Sequence, residues 1–277
     1  MTILVFTLIL LVGAYMAGFL GSLTGLGGGV IIIPLLTLVF HVDIRYAIGA
    51  ALLASIATSS GAASAYVKEG ITNIRLGMFL EIATTIGAVI GAFIAIYMPT
   101  NAIAVIFGMV LIFSAAMTIR KKHETKLAKG SKLSEKLKLN STYPVNGEKV
   151  SYQLTNVAGG FSLMTLAGVL SGLLGIGSGS LKVLAMDSTM KIPFKVSTTT
   201  SNFMIGVTAA ASAVVYLQRG YMDPGIAFPV VLGVLAGALT GAKILPKINP
   251  KILRIIFAVA ITAVAIEMII NGINHKF

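Results

Sequence analysis

The chain has 277 residues, of which 56% are hydrophobic and 11% charged, with no cysteine and a formal net charge of +12. Soluble domains carry about 25% charged residues, so this composition, with a mean hydropathy of +0.95, excludes a soluble catalytic domain and describes an integral membrane protein. Nine of the 21 Lys and Arg lie between Arg120 and Lys149, which assigns the positive charge to one solvated loop beside anionic lipid and argues against a nucleic-acid partner.

The N-terminal run "MTILVFTLILLVGAYMAGFL" lacks the basic leader of a signal peptide. It is expected to be the first membrane segment, 3–23. Next comes "GSLTGLGGGVIIIP" (21–34), with glycine at 21, 25, 27, 28 and 29. Glycine weakens helices, so such a run is costly where no water can satisfy the backbone. Apolar segments follow at 28–40, 45–67, 74–98 and 101–120. The segment 28–40 has 13 residues, against about 20 for a full span, and is expected to turn back inside the protein as a hairpin with the first. A Lys-rich stretch, 121–152, comes next. It has an amphipathic part around 127–139 and a turn signal, Asn146-Gly147, able to close a hairpin between 141–145 and 148–152. Tethering and lipid contact are its expected roles. Five more apolar segments complete the chain, at 154–174, 178–190, 195–217, 224–246 and 251–272.

The second five copy the first. Gly18, Gly25, Gly27 and Gly29 have counterparts 150 residues later in Gly168, Gly175, Gly177 and Gly179. Tyr66 pairs with Tyr216, Gly70 with Gly220, Gly87 and Gly91 with Gly237 and Gly241, and Phe107 with Phe257. No gap is needed from Gly18 to Phe107, which indicates an internal duplication. The Gly87/Gly91 and Gly237/Gly241 pairs suit close helix crossings.

Charge distinguishes the copies. "MPTN" (98–101) has no charge, whereas its counterpart region carries Lys243, Lys247, Lys251 and Arg254. Positive loops favour the cytoplasm, so these equivalent loops are expected on opposite sides. The 68–75, 121–152 and 191–195 loops fall inside; the 41–44 and 218–223 loops and both termini fall outside, with Arg219 balanced by Asp223 and Lys276 a minor dissent. The expected fold is therefore an all-α integral membrane protein. It has two inverted repeats of five transmembrane or half-membrane helices each, with glycine-rich helix breaks near the midplane. The divisions are 1–120 for the first repeat, 121–152 for the basic cytoplasmic linker and 153–277 for the second repeat.

Inverted repeats with interrupted helices typify transporters that bind substrate between the halves. Glycine amides and the positive ends of the short helices suit a small anion. The first candidate residues are Gly25, Gly27, Gly28, Gly29, Gly175, Gly177, Ser178, Gly179 and Ser180; the same residues also suit a tight helix crossing. A dinucleotide-binding loop is excluded, since no strand or soluble βαβ unit surrounds them.

The motifs then resemble the TauE/SafE family, the sulfite-exporter-like permeases. The resemblance rests on "GSLTGLGGGVIIIP" (21–34) and "SGLLGIGSGSLKV" (171–183), on "AIGAAL" (47–52) and "STTTSN" (197–202), and on "AYVKEG" (65–70) and "VYLQRG" (215–220). It implies a multi-pass cell-membrane permease moving a sulfur-containing anion such as sulfite or an organosulfonate. The sequence departs from the family pattern at Gly49-Ala50-Ala51, and Leu184 stands where the first copy has Pro34.

Further candidates are Thr198, Thr199, Thr200, Ser201 and Asn202, which place hydroxyls and an amide around more than one helical turn. Such hydroxyls can also bond their own helix. The first copy reads Ile48 to Leu52 there, so the second half is expected to supply most polar contacts. Lys182 stands in an apolar run where the first copy has Ile32. An intramembrane charge is a functional candidate, here a counter-charge for the anion; snorkelling or pairing with Asp187 are the alternatives. Glu81, expected near the interface, and Glu267 are candidates for proton relay. His41, His123 and His275 lack metal-ligand spacing, no nucleophile–base pair can be assembled, and neither cofactor nor enzymatic activity is expected. An anion channel or a membrane scaffold is the alternative to a carrier; the oligomeric state is not legible.

Overall fold

The computed structural model describes residues 3–24, 28–68, 70–119, 130–145, 148–244 and 250–276. Apolar runs become helices because a chain in lipid must satisfy each backbone N–H and C=O within its own segment. The first five are α1 (Ile3–Thr24), α2 (Gly29–Pro34), α3 (Ile44–Lys68), α4 (Ile74–Tyr97) and α5 (Thr100–Ile119). A short α6 (Lys132–Lys136) and an antiparallel hairpin, β1 (Ser141–Val145) with β2 (Glu148–Tyr152), follow. Then come α7 (Val157–Leu174), α8 (Gly179–Leu184), α9 (Phe194–Gln218), α10 (Pro224–Ile244) and α11 (Pro250–Ile273). Six helices among the described residues are long and apolar enough to cross a membrane. Along α4, Met78, Ile82, Ile86 and Ile90 are exposed at four-residue spacing. An apolar stripe of that kind faces lipid, not water. The protein is a multi-pass, all-α membrane protein.

The short second segments take the same path. α2 and α8 each run into a π-helical turn, Leu35–Val39 and Ala185–Thr189. Each ends on a left-handed residue, His41 (φ 52°) and Lys191 (φ 57°). The Val42 amide then bonds the Leu36 carbonyl, and the Ile192 amide the Met186 carbonyl, both at 3.0 Å. Proline at 34 is therefore not what shapes the turn, since Leu184 gives the same backbone.

The helices pair across the two halves of the chain. α4 packs on α7 and α9, α10 packs on α1 and α3, α5 packs on α11, and α3 meets α9. Small residues let these backbones touch, which substitutes in lipid for the missing hydrophobic drive. A Cβ on Gly87 would fall on the Thr165 carbonyl oxygen of α7, and one on Gly237 would fall on the Tyr15 carbonyl oxygen of α1. These are the same contact in the two copies, since 87 and 237, and 15 and 165, each stand 150 residues apart.

Loop contacts fall into two groups. In one, Arg45 Nη2 donates to the Met98 carbonyl at 2.8 Å, Arg219 Nη2 to the Tyr97 hydroxyl at 3.1 Å, and Asn101 Nδ2 lies 2.9 Å from His275 Nδ1. In the other, Asn73 Nδ2 donates to the Leu139 carbonyl at 3.0 Å and the Tyr152 hydroxyl at 2.8 Å, and the Thr155 amide to the Met190 carbonyl at 3.0 Å. The second group shows more than tethering by the Lys-rich stretch. Leu139, Tyr152 and Leu154 are buried in one cluster with Ile71, Leu76, Met190 and Ile192. The expected hairpin forms, in register from Ser141↔Tyr152 to Val145↔Glu148; its turn, 146–147, and residues 127–129 of the amphipathic part lie outside the described residues.

Candidate functional site

The two glycine breaks meet. A Cβ on Gly29 would stand 2.8 Å from the Gly175 carbonyl oxygen and 3.0 Å from the Ser55 hydroxyl. Gly175 and Gly177 both have φ +67°, a conformation that costs other residues strain. Ser178 also sits in the left-handed region, at φ 43°, and its hydroxyl donates to the Ala167 carbonyl at 2.6 Å. Gly28 faces Thr58 and Val234. The Gly179 carbonyl accepts from the Ser201 hydroxyl at 3.1 Å, and Ser180 bonds Ser114 of α5 at 2.9 Å. Gly25 and Gly27 lie outside the described residues.

The polar stretch at the start of α9 divides by role. The Thr199 hydroxyl bonds carbonyls of its own helix, Lys195 and Val196, each at 3.1 Å. Thr200 accepts from the Asn73 amide at 3.1 Å. Ser201 ties α9 to the glycine break, and the Asn202 carbonyl accepts from Ser59 of α3 at 2.5 Å. The Thr198 hydroxyl is buried with no hydrogen-bond partner among the described residues.

Lys182 neither snorkels nor reaches water: it is 0% exposed. Its Nζ donates to Thr208 Oγ1 of α9 at 2.5 Å. That hydroxyl also lies 2.6 Å from Glu81 Oε1, which comes from α4 in the first half. Glu81 was expected near the interface; it is 7% exposed and turned inward instead. The helix start is close in sequence, but this face of α4 packs on α9, and the carboxylate finds Thr208 there. Glu81 Oε1 also accepts from Thr85 at 3.4 Å, while Oε2 is buried without a partner among the described residues. Glu267 is exposed on α11.

The sequence reading did not single out Ser55, Thr58 and Ser59, all buried on α3. Ser55 Oγ has no partner among the described residues, and Ser59 Oγ accepts from the Gly206 amide at 3.0 Å. These hydroxyls come one turn later than the apolar Ile48–Leu52 stretch, so the first half does bring polar groups to the α3–α9 contact. A signal was available: Thr58 and Thr208 stand 150 apart, and each bonds the carbonyl four residues before it, at 2.7 and 2.9 Å. Hydroxyls, a left-handed glycine turn and an ammonium form a donor set suited to an anion.

The profile of the family described as "Sulfite exporter TauE/SafE" matches residues 9–268. The chain is similar to "Probable membrane transporter protein YunE" of Bacillus subtilis (strain 168), with 31% identity over 232 residues, covering 81% of this chain and 83% of that protein. It is similar also to "Probable membrane transporter protein YdhB" of the same organism, with 27% identity over 221 residues, covering 80% and 83%. No solved structure matches it significantly.

Proposed function

The chain belongs to the TauE/SafE family of membrane transporters, and from that premise we propose that it carries a small sulfur-containing anion, sulfite or an organosulfonate. Two inverted halves, 1–120 and 153–277, alternate access to one site between them. The 121–152 linker lies on the cytoplasmic side, and both termini lie outside.

What carries this proposal is the apposition of Gly29 and Gly175, one glycine break from each half, beside the buried Ser55 hydroxyl. Irregular backbone inside a membrane protein is tolerated where it is buried or lines a cavity, and bare hydroxyls there suit a small polar solute. Lys182, wholly buried near the second break, supplies positive charge. Inversion is supported by the loop contacts: Arg45, beside the 41–44 loop, and Arg219, in the 218–223 loop, both reach residues 97–98, whereas Asn73, in the first copy's equivalent of the 218–223 loop, meets Leu139 and Tyr152 of the linker. Lysines at 243, 247 and 251 support the cytoplasmic assignment.

The test is flux of radiolabelled sulfite and organosulfonates into proteoliposomes holding the purified chain, against carboxylates of similar size. Saturable, counter-transport-sensitive uptake selective for the sulfur anions is expected. Flux indifferent to the anion, or growing linearly with concentration as a channel gives, would refute it.

A further inference from the structure

Buried charges of both signs meet across one hydroxyl, and they come from different halves of the chain. Lys182 of α8 donates to Thr208 Oγ1, and Thr208 lies within donating distance of Glu81 Oε1. Glu81 and Lys182 are 7% and 0% exposed. Burying an ion pair is costly, and a well-packed apolar pair is often at least as stable. Structure alone therefore gives little reason to keep these residues here. Two local features point to exchange. An ammonium carries three donors, and among the described residues one meets a protein acceptor, Thr208. Glu81 Oε2 has no partner at all among them.

We infer that Glu81 is a proton site coupled to the anion bound at Lys182, which rests on the proposed anion transport. With Glu81 ionised, the carboxylate neutralises the ammonium through Thr208, and an anion would add a net negative charge to a low-dielectric site. With a proton from water placed on Oε2, Lys182 is left uncompensated, and a monovalent anion restores neutrality. One proton and one anion then enter together and leave together. No bond other than the O–H forms or breaks.

α7 and α5, packed on these elements, contain no ionisable side chain. On α4, Arg75 is exposed and donates to the Lys138 carbonyl. On α9, Lys195 is exposed, and the Tyr216 hydroxyl faces the Gly172 and Leu173 carbonyls. Asp187 stands half-buried in the π turn after α8, five residues from Lys182.

The experiment uses the full chain in proteoliposomes with ethanesulfonate, which stays monovalent across the working pH range, and pyranine trapped inside. One proton is expected to enter per ethanesulfonate. The half-saturating concentration should rise with pH, by up to about tenfold per unit, and Glu81→Gln should flatten that dependence. Ethanesulfonate uptake without proton entry, or a Glu81→Gln profile that follows the wild type, would overturn the proton site while leaving anion transport standing. No uptake of ethanesulfonate or sulfite by the unaltered chain would overturn both. The pyranine count needs no variant, so misfolding of Glu81→Gln does not spoil the test.

Discussion

Gly29 of the first half touches Gly175 of the second so closely that a Cβ at position 29 would be 2.8 Å from the Gly175 carbonyl oxygen. Both are the glycines at which their helices break, and Gly175 holds the left-handed φ that closes α7. The Ser55 hydroxyl lies against the same spot.

Gly175→Ala and Gly29→Ala should both depress flux, for different reasons. At 175, alanine meets left-handed strain of about 1–2 kcal/mol and the Ile48 side chain, so thermal stability in detergent should fall as well. At 29 the backbone is helical and the methyl pushes the two breaks apart, so flux should fall more than stability. Wild-type flux from Gly29→Ala would show that the contact is not needed for transport.

Lys182→Met removes one member of a buried pair and leaves Glu81 without its counter-charge. A loss of about 3–5 kcal/mol is expected, together with loss of anion uptake. The double variant Lys182→Met/Glu81→Gln should regain most of the stability but none of the uptake. Thermal melts paired with flux measure the two separately, and recovered uptake in the double variant would contradict a counter-charge role for Lys182.

Alanine at Thr198, Ser201 and Asn202 should weaken anion binding more than alanine at Ile48 or Leu52. Thr199→Ala should have the mildest effect of the stretch, because its hydroxyl bonds its own helix. Ser55→Ala, on the first half, should match the second-half variants. Isothermal titration with sulfite ranks them; stronger effects at 48 and 52 than at 198–202 would contradict a site based mainly on α9.

Burial pushes the Tyr152 hydroxyl up to about 12 from its ordinary 10, against smaller lowering by its hydrogen bonds to Asn73 and Ser141. A raised acid keeps its proton in the folded state, so its contribution is whole below pH 10 and is lost as pH rises through 12. Protection of the β2 amides, taken relative to the intrinsic base-catalysed exchange rate, should therefore fall between those values. Tyr152→Phe should remove that pH dependence and cost about 1 kcal/mol at neutral pH by taking away the Asn73 acceptor. An unchanged high-pH profile in Tyr152→Phe would assign the effect elsewhere.

Much of this architecture was legible because each signal was local or repeated. Apolar runs gave the ten apolar helical segments to within a few residues, and the glycine pairs anticipated close crossings at Gly87 and Gly237. What escaped depends on which way a helix face turns. Glu81 lies near a helix start in sequence, yet α4 rotates it onto α9. Ser55 and Ser59 stand among other small residues, Ala54, Ala57, Thr58 and Ser60, so little contrast in polarity marks one face as inward. The linker reads as a solvated loop from its lysines, while Leu139 and Tyr152 carry its packing.

Inversion of the halves is the claim on which the rest depends, and the absence of cysteine makes it directly measurable. Single Asn101→Cys and Lys251→Cys variants, at equivalent positions 150 residues apart, can be labelled with a membrane-impermeant maleimide in intact cells and in inverted vesicles. Position 101 should react from outside and position 251 only in the inverted vesicles. Labelling of both from the same side would contradict opposed halves, and with them a shared site between the two glycine breaks.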